Sequence, residues 1–186
     1  MKRLLICLFC ISVTALLHAQ SKKTVVKNRI KTVTEISTKI ENEETVVKKE
    51  LSSFDESGNQ IEEVVYLNEK LQKKESYKFN KSGKITEHVV YQQDGSVKKK
   101  ITTKYNSSGE VSEELTYNAR DVLQKKEVMA YNAFGEKVSE ITYDGEGELK
   151  EKTIYKYDNK GLKTERLTYD PDNRLVGKKT YTYTFK

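Results

Sequence analysis

Two rows of aromatic residues recur every 26 residues along this chain, and a period of that length restricts it to a repeat architecture whose units pack mainly on their neighbours. The first row is Phe79, Tyr105, Tyr131, Tyr157 and Tyr183, with Phe54 one residue out of step. The second row is Tyr91, Tyr117, Tyr143 and Tyr169, with Tyr66 displaced in the same way, and it follows the first by twelve residues.

Each first-row aromatic is followed by Asp or Asn, two variable residues and Gly, as in FDESG, FNKSG, YNSSG, YNAFG and YDNKG. Asn and Asp bond their own backbone in turns, and Gly supplies positive φ, so this motif predicts a four-residue turn. A second polar turn follows each second-row aromatic and leads through Leu or Val into a Lys-rich run. The segments between turns are about eight residues long, rich in Thr, Val, Ile and Tyr, and alternate apolar with polar. Val111, Glu113, Leu115 and Tyr117 alternate in this way with Ser112, Glu114 and Thr116. The pattern predicts an all-β fold of antiparallel β-hairpin repeats with a 26-residue period. About five and a half units, or roughly eleven or twelve strands, would form an elongated, twisted single sheet or a β-solenoid-like array. A third of the residues are charged and 35% are hydrophobic, too little apolar surface for a thick two-layer core. Both faces of the sheet are therefore expected to be largely wet, with Tyr rings and Lys and Glu stems covering what apolar area there is.

Residues 1–19 carry Lys2 and Arg3, an apolar run and a terminal Ala19, the pattern of a secretory signal peptide cut before Gln20. The expected location is periplasmic or extracellular. Residues 20–39 read as a leader or first edge strand, and 40–186 as the β-repeat domain. Both cysteines, Cys7 and Cys10, fall inside the signal, so no disulfide is expected afterwards. Without Lys2 and Arg3, 32 basic residues face 28 acidic ones, a mild excess. That balance, with Glu interleaved among the Lys, argues against nucleic acid as a partner.

All twelve tyrosines lie in the repeat: the two rows plus Tyr77, Tyr155 and Tyr181, each two residues before a first-row aromatic and thus on its face. Stacking of rings between neighbouring repeats is the expected role. A third row is lysine: Lys49, Lys74, Lys100, Lys126, Lys152 and Lys178. Glutamates recur four residues before the second-row tyrosines, at Glu62, Glu87, Glu113 and Glu165, with Ser139 breaking the row. A four-residue second turn would set the Glu row opposite the Lys row as register-fixing ion pairs. The neighbouring column Lys48, Lys73, Lys99 and Lys125 is interrupted by Glu151 and Gly177. The most basic point is then Lys98, Lys99 and Lys100, which with Lys126, Lys152 and Lys178 form the candidate contact for a polyanion or partner.

No catalytic, cofactor-binding or metal-binding set emerges. Beyond the signal the one histidine is His88, whose counterparts are Glu63, Glu114, Glu140 and Arg166, so its slot reads as a polar surface position. Asp144, Glu146 and Glu148 lack the further ligands of a calcium loop and read as a turn. Lys and Glu on both strand faces leave no lipid-facing apolar band for a membrane barrel.

The stretch YKYDNKGLKTERLTYDPDNRL, from Tyr155 to Leu175, resembles the YD-repeat or RHS-like family of bacterial envelope and secreted proteins. The same aromatic-Asp/Asn-x-x-Gly pattern recurs at Phe54, Phe79, Tyr105 and Tyr131, so the resemblance spans about residues 40–186. It implies a long β-sheet of repeated hairpins, which in large members spirals into a shell around a toxin. The function expected is that of a non-catalytic binding or structural surface at the bacterial envelope, for glycans or other anionic polymers. The alternative is an accessory or immunity-type protein that binds a toxin or another secreted protein through its sheet edge or face.

Overall fold

The computed structural model describes residues 21–41 and 44–185; the segment expected to be a signal peptide, with Cys7 and Cys10, lies outside the described residues. A short helix, α1 (Lys22–Lys27), precedes twelve strands. These are β1 (Thr32–Glu41), β2 (Glu44–Phe54), β3 (Gln60–Leu67), β4 (Lys70–Phe79), β5 (Ile85–Tyr91) and β6 (Val97–Tyr105). They continue with β7 (Val111–Asn118), β8 (Leu123–Tyr131), β9 (Lys137–Asp144), β10 (Leu149–Tyr157), β11 (Lys163–Tyr169) and β12 (Leu175–Thr180). Each strand pairs with its sequence neighbours, always antiparallel, in one open sheet from β1 to β12. Of the two expected shapes, the elongated single sheet is the one formed. At ~4.8 Å per strand it extends on the order of 50 Å.

The turns explain the period. In the β6–β7 turn the Asn106 N–H donates to the Glu110 carbonyl at 2.9 Å and the Gly109 N–H to the Asn106 carbonyl at 3.0 Å. The Asn106 side chain accepts the Glu110 N–H at 2.9 Å, and Gly109 sits at φ 86°. This is a tight turn closed by a left-handed residue, and it leaves a one-residue bulge at Lys104/Tyr105. The second class of turn repeats the geometry: Asn118 N–H to Val122 O at 3.0 Å, Asp121 N–H to Asn118 O at 3.1 Å, with Asp121 at φ 61°. Gly95 and Gly147 close two turns of this class, and Asp121 and Asn173 stand in the same place in two others, because a short polar side chain tolerates the left-handed region. One turn differs. Leu67 pairs directly with Lys70 across Asn68 and Glu69, at φ 46° and 64°. That two-residue turn is one residue shorter than the second-class turns that follow it, and it is why Phe54 and Tyr66 fall out of step.

Residues 20–39 divide between the two expectations: a short helix comes first, and the first edge strand begins at Thr32. Ser21 caps α1, its Oγ accepting the Thr24 N–H at 3.3 Å. A six-residue helix has little stability alone, so its contacts must hold it. Val25 is buried, the Lys22 ammonium donates to Asn59 Oδ1 at 2.7 Å, and the Phe54 N–H donates to the Lys31 carbonyl at 2.8 Å. The helix thus covers the β2–β3 turn beside Phe54, while Thr32–Glu41 supplies the edge strand.

Among the described residues the buried apolar side chains are Val25, Phe54, Val64, Val89, Tyr155 and Leu167, scattered along the sheet rather than gathered in a core. The register separates the two aromatic rows. Lys100 pairs with Tyr117, whereas Tyr105 stands five residues beyond Lys100 on the same strand and so faces the other way. One face carries the second tyrosine row, the Lys row and the Glu row. The opposite face carries the first aromatic row with Tyr77 and Tyr155.

Neighbouring rings of one row do not stack, contrary to expectation. Two strands separate them, about 9–10 Å, beyond the 4.5–7 Å of a ring pair. Instead the hydroxyls of Tyr105, Tyr157 and Tyr183 reach back to the carbonyls of Ile85, Lys137 and Lys163 at 2.7, 2.8 and 2.9 Å. Tyr105 and Tyr157 so tie their own strands to the start of the strand before, and Tyr183 ties the segment after β12 to the start of β11.

Substitution of Glu69 by Gly should stabilise the protein by about 1 kcal/mol, because Glu holds a left-handed position at the second residue of a two-residue turn. Gly109→Val should destabilise by at least about 1 kcal/mol, a β-branched residue being strained at positive φ. Urea unfolding of both variants beside the parent checks this, and two unchanged midpoints would refute the turn assignment.

Candidate functional site

The lysine row is embedded in a lattice of ion pairs. Glu113 lies between Lys104, at 2.7 Å, and Lys126, at 3.1 Å. Glu165 lies in the same way between Lys156, at 2.8 Å, and Lys178, at 2.6 Å. Glu62 meets Lys74 at 3.2 Å and Glu87 meets Lys78 at 2.8 Å. The Glu row does not stand directly opposite the Lys row, because the turn bulges shift the pairing: Lys126 faces Leu115, and Glu113 reaches it along the diagonal. Hydrogen bonds from Lys156 and then Lys178 hold the Glu165 carboxyl down at about 2, and Lys104 and Lys126 lower Glu113 likewise. On the same face Lys100 pairs with Tyr117, and its ammonium sits 4.8 Å from that ring's centroid; Lys74 sits 5.0 Å from that of Tyr91.

The six candidate lysines do not form one patch. Lys99 and Lys100 point to opposite faces, and Lys98 is the extra residue of a bulge. Lys98 borders an open cavity of about 540 Å³ with Gln72, Tyr91 and Asp94. Lys100 is paired with Asp121, Lys126 with Glu113 and Lys178 with Glu165. Lys152 makes no ion pair among the described residues. Its unit has Ala130 and Ser139 where three others have the pairs Lys78 with Glu87, Lys104 with Glu113 and Lys156 with Glu165, so anion and second cation are lost together.

The opposite face holds a cluster that sequence reasoning passed over. His88 pairs across the strands with Tyr77, and the rings stack with centroids 4.8 Å apart and planes 15° apart. His88 Nε2 lies 3.3 Å from Glu75 Oε2, and the Lys73 ammonium reaches Glu63 at 3.1 Å and Glu75 at 3.5 Å. The imidazole contact, with the Tyr77 hydroxyl and Lys73 behind it, lowers the Glu75 carboxyl to about 2. Burial, and then the same carboxylate, push the Tyr77 hydroxyl upward. The signal was visible in the chain, since no other unit has an aromatic opposite a histidine, but it needed the register to bring residues 77 and 88 together. Asp144, by contrast, is consumed by its turn, accepting the Glu146 and Glu148 N–H groups and pairing with Lys150 at 2.7 Å. Among the described residues no three His, Cys, Asp or Glu side chains converge as a metal site.

A second open cavity, of about 770 Å³, lies between the turns that follow Tyr131 and Tyr157. Phe134, Tyr157, Asn132, Glu136, Asp158 and Asn159 border it. Phe134 is 88% exposed at the tip of its turn, where the other units have Ser57, Ser82, Ser108 and Lys160. Tyr155, behind it, has Lys163 and Lys137 4.6 and 5.1 Å from its ring centroid.

A family model described as "Uncharacterised protein" matches residues 51–155, more than half of the chain. No curated protein matches. Among solved structures, a porin-like protein from Bacteroides uniformis is similar over 82% of this chain, with 9% identity and a TM-score of 0.37. The matched part is 56% of that protein, so this chain spans little more than half its length. A protein of unknown function from Bacteroides fragilis is similar over 83% of this chain and 96% of its own, with 15% identity and a TM-score of 0.20. No helix among the described residues is long and apolar enough to cross a membrane.

Glu75 has a folded pKa below its ordinary value of 4.5, so its contribution is complete above about pH 4.5 and is lost as pH falls toward 2. Acid unfolding of the parent should therefore be steeper in that window than that of Glu75→Gln, by on the order of 1–3 kcal/mol; equal slopes would refute the His88–Glu75 contact. Glu113→Gln frees two lysines at a stability cost below about 1 kcal/mol. Its elution from a polyanion resin should move to higher salt, and unchanged elution would show that the Glu row does not mask the lysines.

Proposed function

We propose that this chain, which belongs to the family described as "Uncharacterised protein", is a non-catalytic repeat protein of the bacterial envelope, secreted or periplasmic, whose sheet serves as a binding surface. The observation that carries this reading is the single layer: twelve strands in one sheet, with no second layer on either face and no gathered core among the described residues. A protein that spends its strands on extended exposed area, rather than on an enclosed pocket, suits recognition along a surface better than chemistry in a cleft. The leader pattern of residues 1–19 and the resemblance to YD-repeat proteins support the envelope setting. A glycan is favoured over an anionic polymer because Glu62, Glu113, Glu165 and Asp121 neutralise most of the lysine row.

A second reading has its own observation. The outer edge of β1 has no strand partner among the described residues, and Ile36 and Ile40 on it are 64% and 75% exposed. Such an edge can accept a strand from a partner protein, as an accessory or immunity-type role requires.

Co-sedimentation of the purified protein with isolated envelope polysaccharide, across a salt series, tests the first reading. Binding that persists at high salt is expected. Absence of binding, with one protein co-purifying in stoichiometric amount from the native host, would overturn it in favour of the second.

A further inference from the structure

We infer that the cavity between the turns after Tyr131 and Tyr157 is a site for a neutral saccharide, with Phe134 and Tyr157 as its aromatic wall and Asp158 and Asn159 as its polar one. This rests on the binding-surface reading above and names a place and a ligand class for it. A lone exposed apolar residue needs no explanation. The case here is the company Phe134 keeps. It is the one aromatic that replaces a polar residue at a turn tip in the repeat, and it is 88% exposed. It stabilises no core in that position, yet it borders a cavity of about 770 Å³, within the range of small-molecule sites.

The polar groups beside it are unevenly engaged. Asp158 Oδ1 accepts the Lys160 and Leu162 N–H groups, both at 2.9 Å, and so builds the turn. Its Oδ2 has no protein partner among the described residues, and neither has the Asn159 amide. A free carboxylate oxygen accepts, and an amide both accepts and donates. Together they match hydroxyl groups, which do both, while a ring face covers the C–H face of a sugar.

Other ligands fit less well. Most of the turn's own N–H groups are already used: Asp158 N–H goes to Leu162 O, Gly161 N–H to Asp158 O, and the Lys160 and Leu162 N–H groups to Asp158 Oδ1. A peptide strand would find no free backbone ladder there. A polyanion would meet the carboxylates of Glu136 and Asp158; of the two lysines that line the cavity, Lys156 is paired with Glu165 at 2.8 Å and the Lys160 ammonium lies over the Phe185 ring, 5.1 Å from its centroid, so two carboxylates face a single cation left unpaired among the described residues. Neutral saccharide is the class that needs neither backbone ladder nor net positive charge.

Saturation-transfer NMR and calorimetry on the whole protein, with cellohexaose and N-acetylglucosamine hexamer as probes, test the site. Phe134→Ser installs the residue that three other units carry, and thermal unfolding checks that it leaves the fold intact. Transfer to a hexamer, lost at least tenfold in Phe134→Ser and kept in Phe134→Tyr, is expected. Equal binding by Phe134→Ser and the parent would overturn this site and leave the surface reading standing. Binding of neither hexamer, with envelope binding unaffected by Phe134→Ser, would also overturn it. Loss of a co-purifying protein in Phe134→Ser, without saccharide binding, would overturn the ligand class and, with it, the glycan reading.

Discussion

A sheet one layer thick has nothing to bury its faces against, so register becomes the interaction on which everything else depends. A slip of one residue would exchange the two faces of a strand. Here it would move Glu113 away from Lys104 and Lys126 and would break the reach of Tyr105 to the Ile85 carbonyl. The turns set that register. Their left-handed closing residue, Gly109 in one class and Asp121 in the other, returns the chain with a bulge that fixes which side chains meet.

The stabilising interactions are consequently small and numerous. Exposed ion pairs contribute little one at a time, and a lysine over a tyrosine ring adds a similar amount. Their regular recurrence distributes stability along the sheet, as in other repeat proteins, where each unit is supported by its neighbours. The same regularity makes departures informative. Ser139 with Ala130 removes an anion and a cation together and so preserves local charge balance. Phe134 in a turn otherwise tipped by Ser or Lys has no such structural compensation, and His88 on Tyr77 forms the one stacked ring pair among the described residues.

How much of this was legible beforehand depends on whether a feature is local or crosses strands. Strand number, turn positions and the sharing of one face by the Lys and Glu rows all follow from periods of 2 and 26 residues. Ring stacking within a row was a wrong expectation because periodicity along the chain says nothing about the two-strand spacing across it. Lys98, Lys99 and Lys100 are adjacent in sequence, yet the pleat and a bulge divide them between faces. The helix over Lys22–Lys27 was missed because its support comes from the β2–β3 turn, where Lys22 bonds Asn59 and Val26 lies against Gly58, and not from its own six residues.

By itself, then, the sequence determined the all-β hairpin repeat, the place of each turn and the lack of material for a thick core, because these rest on backbone preferences and alternation within single segments. Only the tertiary structure decided the diagonal Glu–Lys pairing, the assignment of the two tyrosine rows to opposite faces, the Glu75–Tyr77–His88 cluster and the cavity beside Phe134. Each of these needs the offset between strands, and that offset is set by bulges whose count per hairpin no single segment reveals.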